Sequence, residues 1–242
     1  MRPIEERSAS VFKNKSHTPH QLKPKTKIKS AIPAIVNRYT SLPVLLDIIH
    51  RNAITLLPPD AWNDRSDREV MLEYKRRRNL TSLRAICFSA GEETVHHWNA
   101  FASGSAGCRI EFHLPTLLEG LSSSLGYRHG KVVYKPLRGI QKSDLAESKM
   151  PFVKRWPYRI EEEYRIVYES SDPAAADRTE LNIPISLECI RSITVSQAMP
   201  ESVFKSIKSQ LGTQLVKRIS RSTLFESKVW INKFKSEPKK KK

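Results

Sequence analysis

Three consecutive carboxylates, Glu161-Glu162-Glu163, stand directly before a run of strand formers, Tyr164-Arg165-Ile166-Val167-Tyr168. In a strand, alternate residues share a face. Glu161, Glu163 and Arg165 therefore point one way and Tyr164, Ile166 and Tyr168 the other, unless a bulge intervenes. A face that carries Glu163 and Arg165 within a mostly apolar segment is costly to bury. Two explanations stand side by side: an ion pair at a sheet edge with solvated heads, or an acid kept for chemistry.

The flanking chain sets the fold class. Asn37–Ser41 reads as a short strand that runs into a helix, with Thr40 or Ser41 as cap, Pro43 in the first turn and Asn52 as the stop. Leu42, Leu45, Leu46 and Ile49 recur at helical spacing. Ala53–Leu57 reads as a second strand closed by Pro58-Pro59, and Asp60–Arg65 as a polar loop in which Asn63 and Asp64 bond their own backbone. Further strands are expected at 83–89, 109–112, 131–134, 181–185, 190–195 and 214–219. Helices are expected at 69–78, 96–102, 114–121 and 201–211. Many short strands with a few short helices, not in strict alternation, predict an α+β fold with mixed or antiparallel sheets.

Charge is unevenly spread. The formal net charge is +17. Residues 1–35 hold eight Lys/Arg against Glu5 and Glu6, and residues 228–242 hold seven Lys against Glu237; each end contributes +6 and residues 36–227 keep +5. Residues 1–30 are poor in large apolar side chains and read as a disordered basic arm. Residues 31–227 read as one domain, and 228–242 as a basic tail ending in Lys239, Lys240, Lys241 and Lys242. Such ends either solubilise or bind polyanions without sequence preference, so nucleic acid is a candidate partner through those lysines. The three cysteines, Cys87, Cys108 and Cys189, contain no C-x-x-C pair, which argues for a reducing, cytoplasmic setting and against a zinc knuckle. His96 and His97 are adjacent, about 100° apart on a helix, and make poor joint ligands, so no metal is expected. Nothing reads as a signal peptide or a membrane span.

Five strings in order resemble one bacterial family. They are Arg38-Tyr39-Thr40-Ser41, Trp62-Asn63-Asp64, Cys87-Phe88-Ser89, His97 through Gly107 (His-Trp-Asn-Ala-Phe-Ala-Ser-Gly-Ser-Ala-Gly), and Trp156 through Glu161-Glu162-Glu163-Tyr164-Arg165. Together they look like the family catalogued as domain of unknown function 2971, associated with abortive infection and phage defence. The match covers about residues 36–220. Arg65 stands where the family more often has Pro, and His97 where it often has Met.

A more distant resemblance is to ADP-ribosyltransferases of the Arg-Ser-Glu type, whose sheets form a split β-sandwich. It implies Arg38 on an early strand, Ser89 at the end of a middle strand, and Glu163 opening a late strand with Glu161 as the upstream acid. By that resemblance NAD is the substrate. Arg38 would hold its pyrophosphate, Ser89 would orient Glu163, and Glu163 would stabilise the charge that develops as nicotinamide leaves. Tyr39 or Trp98 would stack on the nicotinamide, and Asn63 and Asp64 would shape the pocket. No G-x-G-x-x-G follows a strand, so a Rossmann mode of holding NAD is not supported. The alternative is a non-enzymatic defence component that binds nucleic acid or a protein partner from a neighbouring gene. In that case Arg38 would pair with Glu161 or Glu163, and Trp62, Trp98 and Trp156 would be packing residues. A nuclease or other hydrolase ranks last, because the sequence offers no metal-ligand spacing for it.

Overall fold

The computed structural model describes residues 32–121, 126–176, 180–211, 215 and 217–235. The arm of residues 1–30 and Lys239–Lys242 lie outside the described residues. The α+β expectation holds. A seven-stranded sheet runs in the order β11-β10-β4-β1-β3-β8-β5, from β1 (Ile35–Ser41), β3 (Ser82–Ser89), β4 (Gly107–His113), β5 (Tyr127–Lys131), β8 (Glu163–Ser170), β10 (Ile190–Val195) and β11 (Ile219–Arg221). Its pairings are antiparallel except β10 with β11. Two ribbons accompany it: β2 (Ala53–Leu56) with β9 (Leu181–Pro184), and β6 (Val133–Lys135) with β7 (Val153–Arg155).

The period-two pattern of β8 sorts the layers. Tyr164 and Ile166 join the main core with Val36, Phe88, Ile110, Phe112 and Ile193, together with Leu45 and Ile48 from α1 (Leu42–Arg51). Val167 faces the opposite side, where α2 (Arg65–Arg77) lays Met71 and Tyr74 against Leu83 and Ala85. Each face thus buries apolar surface against a helix, as a two-sided central sheet requires.

Local chemistry sets the element ends. Ser41 sits at the N-terminal cap of α1 but its side chain makes no capping bond; Pro43 lies in the first turn and the Leu42 N–H donates to the Ala106 carbonyl at 2.7 Å. Asn52 ends the helix in the left-handed region, φ 49°. Asp64 does more than close a loop: its carboxylate accepts from the Ser66 and Asp67 N–H groups and starts α2 at Arg65, four residues before the expected start at Glu69. Between α3 (Val95–Phe101) and β4, Gly104 takes φ +78°, and a Cβ on Gly107 would stand 1.8 Å from the Ala102 carbonyl oxygen. The glycines of the Ser-Gly-Ser-Ala-Gly string are therefore demanded by the turn itself.

Several boundaries differ from the sequence reading. The expected strand at 131–134 is two strands, β5 and β6, meeting near Val132. The polar stretch 135–151 contains short helical turns, and β7 at Val153–Arg155 had no apolar alternation to announce it. The last strand begins at Ile219 rather than 214. Within the expected tail, Lys228–Lys235 forms a helix, α6, whose Trp230 and Phe234 rings touch at 5.1 Å and stay exposed. The remaining helices are α4 (Leu114–Glu119) and α5 (Glu201–Gln210). Among the described residues, no helix is long and apolar enough to cross a membrane.

Candidate active site

Strand β3 pairs with β8 along its whole length, from Ser82 opposite Ser170 to Ser89 opposite Glu163. Its other edge is shared. Asn37 of β1 faces Ser89 at one end, and Leu57, just beyond β2, bridges Ala85 at the other. Between them the Cys87 carbonyl meets neither strand. Arg38 fills that gap: its Nη1 donates to the Cys87 oxygen at 2.8 Å. The parting of β1 from β3 opens a cleft of about 340 Å³.

Seven of the eight residues singled out for this pocket line the cleft: Arg38, Tyr39, Asn63, Asp64, Ser89, Glu161 and Glu163. Trp98 does not. It is buried against Tyr39 and Ala102, its indole N–H donates to Glu93 at 2.7 Å, and it borders a neighbouring cavity. The aromatic wall is instead Tyr39 stacked on His97, with centroids 4.9 Å apart and planes within 10°. His97 Nε2 faces the Glu161 carbonyl at 3.3 Å and Nδ1 faces the Thr94 hydroxyl at 2.7 Å. A carbonyl only accepts, so Nε2 carries the proton and Thr94 donates to Nδ1. Burial lowers the His97 pKa and keeps the ring neutral. His96 is exposed and His97 buried, one surface and one packed histidine.

Behind the cleft sits a buried charge cluster. Arg165, 0% exposed, donates through Nε to Glu163 (2.7 Å), through Nη2 and Nη1 to Asp67 (2.7 and 3.3 Å), and through Nη1 to the Pro151 carbonyl (2.9 Å). Its guanidinium lies 4.9 Å from the centre of the Trp62 ring. Lys154 reaches Glu161 at 2.7 Å, Glu163 at 3.3 Å and Asp67 at 3.8 Å. The Glu163–Arg165 pair is thus not an edge pair with solvated heads. Strand β8 lies between β3 and β5, and the turn Trp156–Glu161 folds Lys154 back over the carboxylates. Glu162, at φ 41°, is the bend that lets Glu161 and Glu163 face the same lysine.

The electrostatics divide the acids. Burial would raise the Glu163 carboxyl, but the charges of Arg165 and Lys154 outweigh it and hold the group at about 2. Burial prevails for Asp67 and Glu161, which lie above their ordinary values. Three carboxylates, Asp67, Glu161 and Glu163, face two cations, Arg165 and Lys154, so one positive charge is missing. Arg38 supplies it at a distance: it feels Glu163, yet no carboxylate lies within ion-pair distance of it among the described residues. Burial depresses its pKa. The expected alternative, Arg38 tied to Glu161 or Glu163, is not what the cleft contains.

Ser89 shares a sheet face with Glu163 as its cross-strand partner, and its hydroxyl accepts from the Gly91 N–H at 3.2 Å. Lys154, Asp67, Asn37 and His97 also line the cleft and were not singled out for it. Cys108 and Cys189 are buried packing groups, whereas Cys87 lines the cleft and hydrogen-bonds Glu163; burial pushes Cys108 and Cys189 up to about 12 and Cys87 higher still. Among the described residues no cluster of three or more His, Cys, Asp or Glu could hold a metal ion.

A scan against protein-family models gives no match for this chain, and a search of curated proteins gives none.

Proposed function

We propose that the chain transfers ADP-ribose from NAD to a macromolecule, as a member of the domain of unknown function 2971 family with the Arg-Ser-Glu arrangement. The observation that carries this reading is Arg38: a half-buried cation on the cleft wall, bonded to one carbonyl and to no carboxylate within ion-pair distance among the described residues. A half-buried guanidinium whose one direct partner is a carbonyl keeps donors to spare, and a ligand that brings an anion would complete them. A pyrophosphate does so, and a guanidinium can grip it through two parallel bonds. The parting of β1 from β3 is also what a split sandwich needs.

In this reading NAD is the substrate. The glycosidic bond breaks, its electron pair leaves with nicotinamide, and Glu163, ionised throughout, faces the positive charge that develops on the ribose. The acceptor's nucleophile forms the new bond to the same carbon. Glu161, whose carboxyl lies above its ordinary value, takes the acceptor's proton. Ser89 limits the freedom of Glu163 from the adjoining strand.

Arg38→Met tests the carrying observation. It removes a half-buried charge that balances the carboxylate cluster only at a distance, and it orphans the Cys87 carbonyl, so stability is expected to stay within about 1 kcal/mol of the parent. NAD binding, followed by calorimetry, is expected to fall at least roughly tenfold, the scale of a lost charged hydrogen bond. Unchanged affinity removes the basis for the reading.

A second reading is favoured by α6, which carries Lys228, Lys233 and Lys235, no acid, and exposed Trp230 and Phe234. Lysines with exposed rings suit single-stranded nucleic acid. On that reading affinity for a single-stranded oligonucleotide falls steeply with added salt, and deleting residues 228–242 flattens the slope. A salt-independent affinity excludes it.

A further inference from the structure

The cleft holds two acceptors without donors. Asn37 is 7% exposed, and its Oδ1 is buried without a hydrogen-bond partner. The Asp64 carboxylate uses Oδ1 to cap α2, and its Oδ2 is likewise buried and unpartnered. Both residues line the cleft. The orientation of the Asn37 amide follows from its neighbour: the Gly91 carbonyl, 3.3 Å away, can only accept, so the amide nitrogen must face it. That leaves the oxygen for the other side. Tyr39 also lines the cleft and its hydroxyl too is unpartnered, but it lies against Arg109 and Glu93, on the Trp98 side.

Buried acceptors are rarely left unmet, and a site built with them rejects ligands that bring no donor. From this pair we infer that the ligand must present two hydrogen-bond donors, one to Asn37 Oδ1 and one to Asp64 Oδ2, in addition to the anion that Arg38 demands. The inference rests on the NAD reading and deepens it. Asn37 and Tyr39 are two apart on β1 and share a face, so Asn37 lies beside the Tyr39–His97 stack. A flat pyridine ring on that wall presents its carboxamide N–H₂ to Asn37. Asp64, from the loop that also carries Trp62 and Asn63, takes a ribose hydroxyl. Asn37 is thereby a specificity residue: it selects a carboxamide over any substituent without an N–H.

The test compares two dinucleotides on the full chain by calorimetry: NAD, and its analogue in which an acetyl group replaces the carboxamide. The analogue keeps the carbonyl and loses the donor. The parent protein is expected to bind NAD roughly tenfold more tightly than the analogue, the scale of one unmet buried acceptor. Asn37→Leu is expected to bind the two equally, whereas Asn37→Asp, which keeps an acceptor, retains the preference. Asp64→Asn keeps a capping oxygen for α2 and turns the second acceptor into a donor, and is expected to weaken both dinucleotides alike. If the parent binds NAD but does not distinguish the analogue, the acceptors are met by water and the inference is wrong while the NAD reading stands. This comparison needs no variant to fold. If the parent binds neither dinucleotide, the NAD reading falls and takes the inference with it.

Discussion

Arg165→Met is expected to lower the melting temperature by roughly 10 °C, the largest loss of stability from any single change in the cleft region. Arg165 has no exposure and holds Glu163 and Asp67 at once, with a fifth contact to the face of Trp62. Met fills the volume but brings no charge. It leaves two buried carboxylates with only Lys154, at 3.3 and 3.8 Å, to answer them. Breaking a buried ion pair from one side costs roughly 3–5 kcal/mol, and the nearby lysine places this case toward the lower end. The Pro151 carbonyl loses its donor as well. A second change separates charge from packing. Adding Glu163→Gln to Arg165→Met removes one orphaned carboxylate, so the double variant is expected to melt above Arg165→Met alone. A thermal melt of Arg165→Met within about 3 °C of the parent would mean that water reaches the cluster and that the pair is no strut.

Residue by residue, what the sequence made legible follows the range of the forces involved. The alternation of β8 is a local, period-two signal, and both its faces are where alternation put them. The convergence of Arg38, Ser89 and Glu163 was legible only through the order of motifs, because no local pattern says that β1, β3 and β8 lie side by side. Asp67 stayed hidden because it fell between the expected loop at 60–65 and the expected helix at 69–78; Asp64 starts α2 early and makes it a helix residue aimed at β8. Lys154 stayed hidden for a similar reason. It stands seven and nine residues before its glutamates, a spacing with no strand or helix reading, and only the turn at Trp156–Glu161 folds it back. The lone charge of Arg38 was beyond sequence altogether, since it arises from the parting of two strands. Trp98 carried a motif, but motifs mark packing as readily as ligand contact. Its indole is spent on Glu93 and Tyr39.

Glu163→Gln is expected to lower ADP-ribose transfer by at least roughly 10²-fold, the scale at which one group aimed at developing charge contributes. The side chain keeps its shape, and its amide oxygen can still accept from Arg165 Nε, so the stability cost is smaller than for Arg165→Met. It is not zero, because Arg165 loses one of its two carboxylate partners and Lys154 one of its three. The pH dependence identifies the lost charge. Glu163 titrates near 2 in the folded protein against an ordinary value of 4.5. A depressed folded value means that the unfolded chain binds the proton first, so this group stabilises the fold above about pH 4.5 and the contribution is lost as pH falls toward 2. Asp67 and Glu161, raised by burial, act with the opposite sign: each favours the fold more in its protonated state, and their contribution declines as pH rises through their folded values. In the Gln variant the acid loss between pH 4.5 and 2 is therefore expected to shrink, while the opposing effect of Asp67 and Glu161 persists. The same assignment fixes the activity profile. Glu163 is held well below the ordinary carboxylate range, so an acid limb in transfer above pH 4.5 is assigned to Glu161, the proton acceptor, and is expected to disappear in Glu161→Gln along with most of the rate. Incubation with labelled NAD and mixed protein and nucleic acid reads both variants. Transfer by Glu163→Gln within threefold of the parent would leave the carboxylate as the strut of Arg165 alone and remove it from the chemistry.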